Sequence, residues 1–327
     1  MNPYKKTITS CPTCGSDAPG YYHEDQSGMY LTIDCGRHGI FREKVENDPD
    51  FFKKAYEYEG YRKMSYLILP VTYRCNLSCR YCYAHANYKH AIPADRSIDH
   101  LIRLIREVDC PTVNLSGGEP TVREDLAQLI RMAKEVAGIR RLCVVTNAQR
   151  TADFGYLRSL KESGLDFLFM PMSIAGYEQN VRVRRNMAQS LQNSLDLKLP
   201  IWIQATIDSL DQLTPAIELI QQYRKIIFNI TIRVAKSFGI VPATNQFFVS
   251  DVLRHLGKEN DYYMGNHPFN RHIRLLGKST KVSSWVNDRK MVDPYDALYV
   301  LSDDSITPFH KGMLIEDLFF KTNKSNC

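Results

Sequence analysis

Nowhere in the 327 residues is there a run of about 18 uncharged apolar residues, the minimum for a helix that crosses a bilayer. The first ten residues, MNPYKKTITS, have no apolar stretch of the signal-peptide kind, so the expected location is the cytoplasm and no membrane partner is expected. Glycine and proline, at 17 and 15, are too few for a fibrous or low-complexity chain. Charge of one sign is also scarce. The 42 basic and 36 acidic side chains leave a formal +6, too small a surplus to demand a polyanion, and nucleic acid is not the expected partner. What remains is an ordinary globular composition, 44% hydrophobic and 24% charged, long enough for one large core with a small appendage.

Cysteine is where the sequence becomes specific. Nine cysteines fall as Cys11, Cys14 and Cys35, then Cys75, Cys79 and Cys82, then the scattered Cys110, Cys143 and Cys327. A reducing cytosol disfavours structural disulfides and points clustered cysteines towards metal or redox chemistry. In the first group Cys11-Pro-Thr-Cys14 and Cys35-Gly-Arg-His38 are two ligand pairs of matching spacing. That pattern predicts a tetrahedral Cys3His site for zinc, with a single iron left open as the alternative. Residues 21–24 and 29–33 read as a hairpin around a polar turn at 25–28. Glycines 15, 36 and 39 are expected to free backbone amides for the thiolates.

The second group lies directly after an apolar run, residues 66–73, that reads as a buried strand. A cubane iron-sulfur cluster normally takes four thiolates, so Cys75, Cys79 and Cys82 with no nearby fourth would leave one iron open to an outside ligand. A zinc site completed by His85 or His90 is the alternative. Next comes a predicted helix, capped by Ser97 and apolar at 98, 101, 102, 105 and 108, and then a strand running into Gly117-Gly118-Glu119-Pro120. A right-handed crossover between adjacent parallel strands puts Glu119 and two free backbone amides on the same rim as the cysteine loop.

Cys75, Cys79, Tyr81 and Cys82 fit the pattern Cys-x3-Cys-x-aromatic-Cys, and the GGEP turn follows in order, Glu119 lying 37 residues after Cys82. In both motifs the chain resembles the radical S-adenosylmethionine (radical SAM) superfamily. The resemblance implies one [4Fe-4S] cluster on the three cysteines and S-adenosylmethionine on its open iron. Tyr81, Gly117, Gly118, Glu119 and Pro120 then become cofactor contacts. Ser173 and Arg185 fall where similar proteins hold the cofactor. Asn147 and Gln204, at or near strand ends, are candidates for ribose or adenine, although an ordinary polar rim explains each equally well. Arg233 calls for a partner that is substrate, cofactor or an acidic side chain of the fold.

Beyond Pro120 helices near 124–136, 155–162, 186–197 and 214–223 alternate with strands at 142–147, 167–173, 201–207 and 226–234. Six strands in all predict an α/β fold, the partial (β/α)6 barrel of the superfamily, over residues 61–240. A metal knuckle and linker precede it at 1–60. Residues 241–327, rich in Tyr262, Tyr263, His267, His272, Trp285, Tyr295, Tyr299 and His310, are expected to close the barrel and shape the substrate pocket. The knuckle ahead of such a core is similar to the branch with tetraether lipid synthases and radical pterin methyltransferases, but this chain is shorter and lacks their auxiliary-cluster cysteines. Cys110 and Cys143 are expected to be small buried hydrophobes. The expected activity is reductive cleavage of S-adenosylmethionine to a 5'-deoxyadenosyl radical that takes hydrogen from a small polar metabolite, a nucleoside or natural-product precursor. Rearrangement, epimerisation, group insertion or sulfur insertion would follow, with flavodoxin or ferredoxin as electron donor. The competing readings are a zinc-ribbon nucleic-acid module, motivated by the knuckle and by Arg182, Arg184 and Arg185, and an iron-sulfur delivery protein.

Overall fold

The computed structural model describes residues 3–14, 16–56, 66–79, 82, 86, 94–108, 110–173, 180–234 and 247–256, and the backbone of five further strands between 261 and 308. The amino-terminal part is a four-stranded antiparallel meander of β1 (Lys5–Ser10), β2 (Asp17–Asp25), β3 (Gly28–Cys35) and β4 (Gly39–Glu46). Alternation along β2 and β3 sends Tyr22, Met29, Leu31 and Ile33 inward, where they pack with Phe52 of helix α1 (Pro49–Tyr56). Gly28 makes the turn at φ +146°, and a β-carbon there would lie 2.5 Å from the Glu46 carbonyl oxygen. The predicted hairpin is therefore the middle of a larger sheet. Lys5 and Lys6 in β1, and Arg42, Glu43 and Lys44 in β4, hide the outer strands from an apolar pattern.

The main sheet holds β5 (Tyr66–Thr72), β6 (Thr112–Gly117), β7 (Arg141–Val145), β8 (Phe167–Ser173), β9 (Ile201–Ile207) and β10 (Ile227–Val234), parallel and adjacent in sequence order. Helices α2 (Ile98–Glu107), α3 (Leu126–Lys134), α4 (Phe154–Glu162), α5 (Val181–Asp196) and α6 (Leu213–Gln222) make the crossovers. One strand face, with Leu67, Leu69, Val113, Leu115, Leu142, Val144, Leu168, Ile201 and Ile203, shares a core with Leu101, Ile105, Leu129, Leu157, Leu160, Leu191 and Ile220 of the helices. Six strands and five helices were legible from period alone. The Ser97 hydroxyl accepts from the His100 amide as expected of a cap. Helix α5 begins earlier than its apolar pattern because the Asn180 side chain accepts from the amides of Arg182 and Val183. Cys110 and Cys143 are buried.

Five strands extend this sheet on both sides. β13 (Lys278–Ser284) runs parallel to β10, followed outward by β12 (Asn270–Leu275) and β11 (Asp261–His267); β14 (Ala297–Val300) runs parallel to β5 and carries β15 (Ile306–Pro308). The side chains of Tyr262, Tyr263, His267, His272 and Tyr299 lie outside the described residues, as do Trp285, Tyr295, His310 and Cys327 altogether. Helix α7 (Val249–His255) bolts the meander to the main domain. The buried Glu46 carboxylate at the end of β4 accepts from the Ser250 hydroxyl at 2.5 Å and from the Ser250 amide at 3.4 Å, while the Asn47 side-chain Nδ2 donates to Asp251 Oδ2 at 2.6 Å. Among the described residues no helix is long and apolar enough to cross a membrane.

Candidate active site

The cysteine loop leaves the carboxyl end of β5, and the GGEP turn leaves the carboxyl end of the neighbouring β6. In register Thr72 faces Gly117. Beyond that pair the two loops are clasped backbone to backbone: the Gly118 amide donates to the Thr72 carbonyl and the Glu119 amide to the Arg74 carbonyl, each at 2.8 Å. Only glycine permits this approach. A β-carbon at Gly117, whose φ is +114°, would lie 2.1 Å from the Thr72 carbonyl oxygen, and one at Gly118 would lie 2.2 Å from that of Arg74. The two amides expected to stand free for a ligand are thus committed to holding the cysteine loop, which corrects that part of the sequence reading.

Glu119 is buried and its carboxylate is surrounded by donors. Oε1 accepts from the Thr121 amide at 3.1 Å, the Thr121 hydroxyl at 2.6 Å and the Thr146 hydroxyl at 2.7 Å; Oε2 accepts from the Asn147 amide at 2.6 Å. Burial pushes its carboxyl above the ordinary range, against those hydrogen bonds. The side chain therefore ties the end of β6 to the end of β7. Asn147, a candidate for ribose or adenine, turns its side-chain amide nitrogen towards the cysteine loop, 2.7 Å from Asn76 Oδ1 and 3.8 Å from Cys75 Sγ.

A second ring of support escaped the sequence reading. Asp95 accepts from the Thr72 hydroxyl and from Arg74, both at 2.6 Å. Arg123, only 4% exposed, donates to the carbonyls of Val71 at 2.7 Å and Arg96 at 3.0 Å and pairs with Asp125. Its place three residues after Pro120 was the available signal, since an arginine beside a buried turn needs carbonyl or carboxylate partners.

Opposite the helices, the inner strand face is aromatic towards the amino ends and polar towards the carboxyl ends. Phe169, Trp202 and Phe228 meet edge to face, with Phe169 and Trp202 centroids 5.0 Å apart. Above them Pro171, Gln204 and Thr231 form one row, and Ser173, Thr206 and Arg233 the next. Gln204 and Arg233 are half-buried, Arg185 is exposed on α5, and Tyr81 and the side chain of Ser173 lie outside the described residues. On β6, between the helix-facing Val113 and Leu115, the buried Asn114 Oδ1 has no hydrogen-bond partner among the described residues.

Residues 69–197 match the model of the Radical SAM superfamily. That segment is a radical SAM domain. A radical SAM domain implies a [4Fe-4S] cluster and S-adenosylmethionine, and the matched segment contains both the cysteine loop and the GGEP clasp. The chain is 30% identical over 195 residues to the 7,8-dihydro-6-hydroxymethylpterin dimethyltransferase of Methanocaldococcus jannaschii, an alignment covering 51% of this chain and 38% of that protein. It is 31% identical over 145 residues to the GTP 3',8-cyclase of Lactiplantibacillus plantarum, covering 42% of each. The chain thus spans less than half the length of these curated relatives. Among solved structures, Streptococcus suis SuiB bound to S-adenosylmethionine superposes with a TM-score of 0.52 at 14% identity, covering 89% of this chain and 81% of that one; at that identity the likeness concerns the fold alone.

The donor set of the radical SAM domain fits an iron-sulfur cluster. Cys75, Cys79 and Cys82 lie on one loop outside any disulfide, half-buried, exposed and half-buried respectively. Burial, with lesser repulsion from Glu119 and the neighbouring cysteines, pushes Cys75 up to about 12; Cys79, exposed as a residue but with protein packed around its thiol, is pushed up to about 11 by that desolvation, then by Cys82 and Glu119. Bare thiolates are disfavoured here, and a cationic iron centre bound to these sulfurs would displace their protons. The Leu77 amide, 3.4 Å from Cys75 Sγ, offers that sulfur a backbone donor.

The knuckle residues also come together. The ligand atoms of Cys11, Cys14, Cys35 and His38 all lie within 4.8 Å of one another, with His38 Nδ1 3.7 Å from Cys11 Sγ and 3.6 Å from Cys35 Sγ. Hydrogen bonds from Ser16 lower Cys14 to about 6, and the Arg37 amide lowers Cys35, while burial raises Cys11. Among the described residues the amides that reach the sulfurs belong to Thr13, Cys14, Ser16, Arg37 and His38 rather than to Gly36 or Gly39; Gly15 lies outside the described residues.

Proposed function

We propose that the protein is a radical SAM enzyme with a single catalytic cluster held by Cys75, Cys79 and Cys82. The observation that carries this reading is the clasp between the cysteine loop and Gly117-Gly118-Glu119, which fixes both motifs on one rim of the barrel. When bound, the cluster supplies the electron that splits S-adenosylmethionine into methionine and a 5'-deoxyadenosyl radical. The chain's own residues do the positioning. In this reading backbone carbonyl oxygens of the GGEP turn accept from the cofactor's amino group, since the Gly118 and Glu119 amides are engaged and the Glu119 carboxylate already takes four donors. Tyr81, Pro120, Ser173, Arg185 and Gln204 complete the cofactor contacts in this reading. Positioning matters because a primary alkyl radical attacks the nearest C–H bond.

The substrate in this reading is a small polar metabolite, a nucleoside or natural-product precursor. A pterin and GTP, named in the two relatives, both contain a fused nitrogen heterocycle, and the barrel's inner face offers the rings of Trp202 and Phe169 below two successive rows that carry Gln204 and then Thr206. Hydrogen abstraction is followed by rearrangement, epimerisation, group insertion or sulfur insertion. Cys11, Cys14, Cys35 and His38 hold zinc, or a single iron, as a structural knuckle. Residues 1–60, 61–240 and 241–327 then act as knuckle with linker, catalytic core and pocket-shaping segment, in the cytoplasm, with a flavodoxin or ferredoxin as electron donor. The test is anaerobic incubation of reconstituted protein with dithionite and S-adenosylmethionine. Formation of 5'-deoxyadenosine that disappears in the C75A/C79A/C82A variant supports the reading. Colourless protein holding two zinc ions, or cluster transfer to another protein without 5'-deoxyadenosine, overturns it.

A further inference from the structure

Asn147 sits one residue beyond Thr146 at the end of β7, and every part of it is held. Its main-chain amide donates to Glu119 Oε2 at 2.6 Å. Its main-chain carbonyl accepts from Gln149 Nε2 at 3.2 Å, and its side-chain oxygen accepts from the Gln149 amide at 3.1 Å. Gln149 is itself anchored, accepting from Asn186 Nδ2 at 3.0 Å and donating to the Val183 carbonyl at 3.4 Å on α5. With its acceptor fixed in this way, the Asn147 side chain has one orientation left for its two N–H groups. They point to Asn76 Oδ1 at 2.7 Å and to Cys75 Sγ at 3.8 Å, within the longer reach of a bond to sulfur.

We infer that Asn147 is a positioning residue that tunes the cluster through its hydrogen bond to the Cys75 sulfur. The inference rests on the assignment of Cys75 as a cluster ligand. An N–H group aimed at a ligating thiolate withdraws charge from it and favours the more negative, reduced cluster over the oxidised one, so it raises the reduction potential. The same side chain fixes Asn76, next to Cys75, and its backbone is fixed by Glu119. The GGEP turn, the cysteine loop and the end of β7 therefore set the donor's position jointly, and the donor reports their register to the sulfur. Through Gln149, the path continues to the start of α5.

The test is a spectroelectrochemical titration of the anaerobically reconstituted full-length protein in the absence of S-adenosylmethionine. A residue that only contacts the cofactor leaves that potential unchanged. Asn147→Ala removes the donor and keeps the backbone bond to Glu119. Asn147→Asp keeps the shape and the acceptor for Gln149 but places a carboxylate oxygen against the sulfur. With iron content and circular dichroism matched to the wild type, the expected order of potentials is wild type highest, Asn147→Ala lower and Asn147→Asp lowest. Should Asn147→Asp take up too little iron to titrate, Asn147→Ala alone decides. A wild-type potential in Asn147→Ala overturns the tuning role and leaves the proposed activity standing. A wild-type protein that assembles no redox-active cluster removes the proposed activity, and this inference with it.

Discussion

Replacing Glu46 by glutamine should change how stability depends on pH, by an amount the structure fixes. Glu46 is fully buried where the meander meets α7, and burial lifts its carboxyl from 4.5 to about 7 despite donors from Ser250, Asn47 and Asp48. The folded chain thus holds this proton more tightly than the unfolded chain does. The contribution to stability is complete below the unfolded value of 4.5, declines as pH rises and is lost once pH passes about 7. Each tenfold change in proton affinity is worth about 1.4 kcal/mol, so the loss amounts to about 3 kcal/mol. Glu46→Gln cannot ionise. Urea denaturation of both proteins between about pH 5 and pH 8.5 should show the variant gaining on the wild type by about 2.5 kcal/mol across that interval. Comparing the two at each pH cancels the titration of the knuckle cysteines, which both proteins share. A flat difference, or a wild type that gains on the variant with rising pH, would refute the reasoning, because it would show the carboxylate ionised and well solvated at that junction.

The other expectations concern the site itself. Gly118→Ala drives a β-carbon into the Arg74 carbonyl and breaks two backbone bonds of the clasp, so it should destabilise the protein by at least about 2 kcal/mol and lower iron retention on reconstitution, read by denaturation and metal analysis. Glu119→Ala leaves four buried or half-buried donors without their acceptor and should destabilise by on the order of 4 kcal/mol, whereas Glu119→Gln should cost less because one acceptor oxygen remains. Metal analysis of the Cys75→Ala/Cys79→Ala/Cys82→Ala protein should find one zinc or iron per chain, and none after adding Cys14→Ala, with the meander then losing protection in hydrogen exchange.

The sheet of six parallel strands was legible because its strands are apolar runs and a helix such as α2, started by Ser97, buries Leu101, Ile102, Leu104 and Ile105 on one face, whereas α5 buries Ser190, Asn193 and Ser194 and shows its period less clearly. The outer strands of the meander were not, since Lys5, Lys6, Arg42, Glu43 and Lys44 interrupt any simple alternation. Nor were β11 to β15, which sit in a polar segment whose strand character comes from pairing with β10 and β5. At the site, spacing pointed to the right residue types in the right loops but not to their partners. The glycines of the GGEP turn suggested open amides, yet their use is close backbone approach, which depends on how the neighbouring loop passes them. Asp95 and Arg123 carried no motif, and their role emerges only when Val71, Thr72 and Arg74 are brought within reach by the parallel pairing of β5 and β6.

The most direct measurement is the electron paramagnetic resonance spectrum of the dithionite-reduced, reconstituted protein before and after S-adenosylmethionine is added. The account predicts a reduced cubane signal whose shape changes when the cofactor's amino and carboxylate groups reach the open iron, and no such signal from the protein lacking Cys75, Cys79 and Cys82. A signal indifferent to S-adenosylmethionine, or one that survives the loss of those three cysteines, would contradict it.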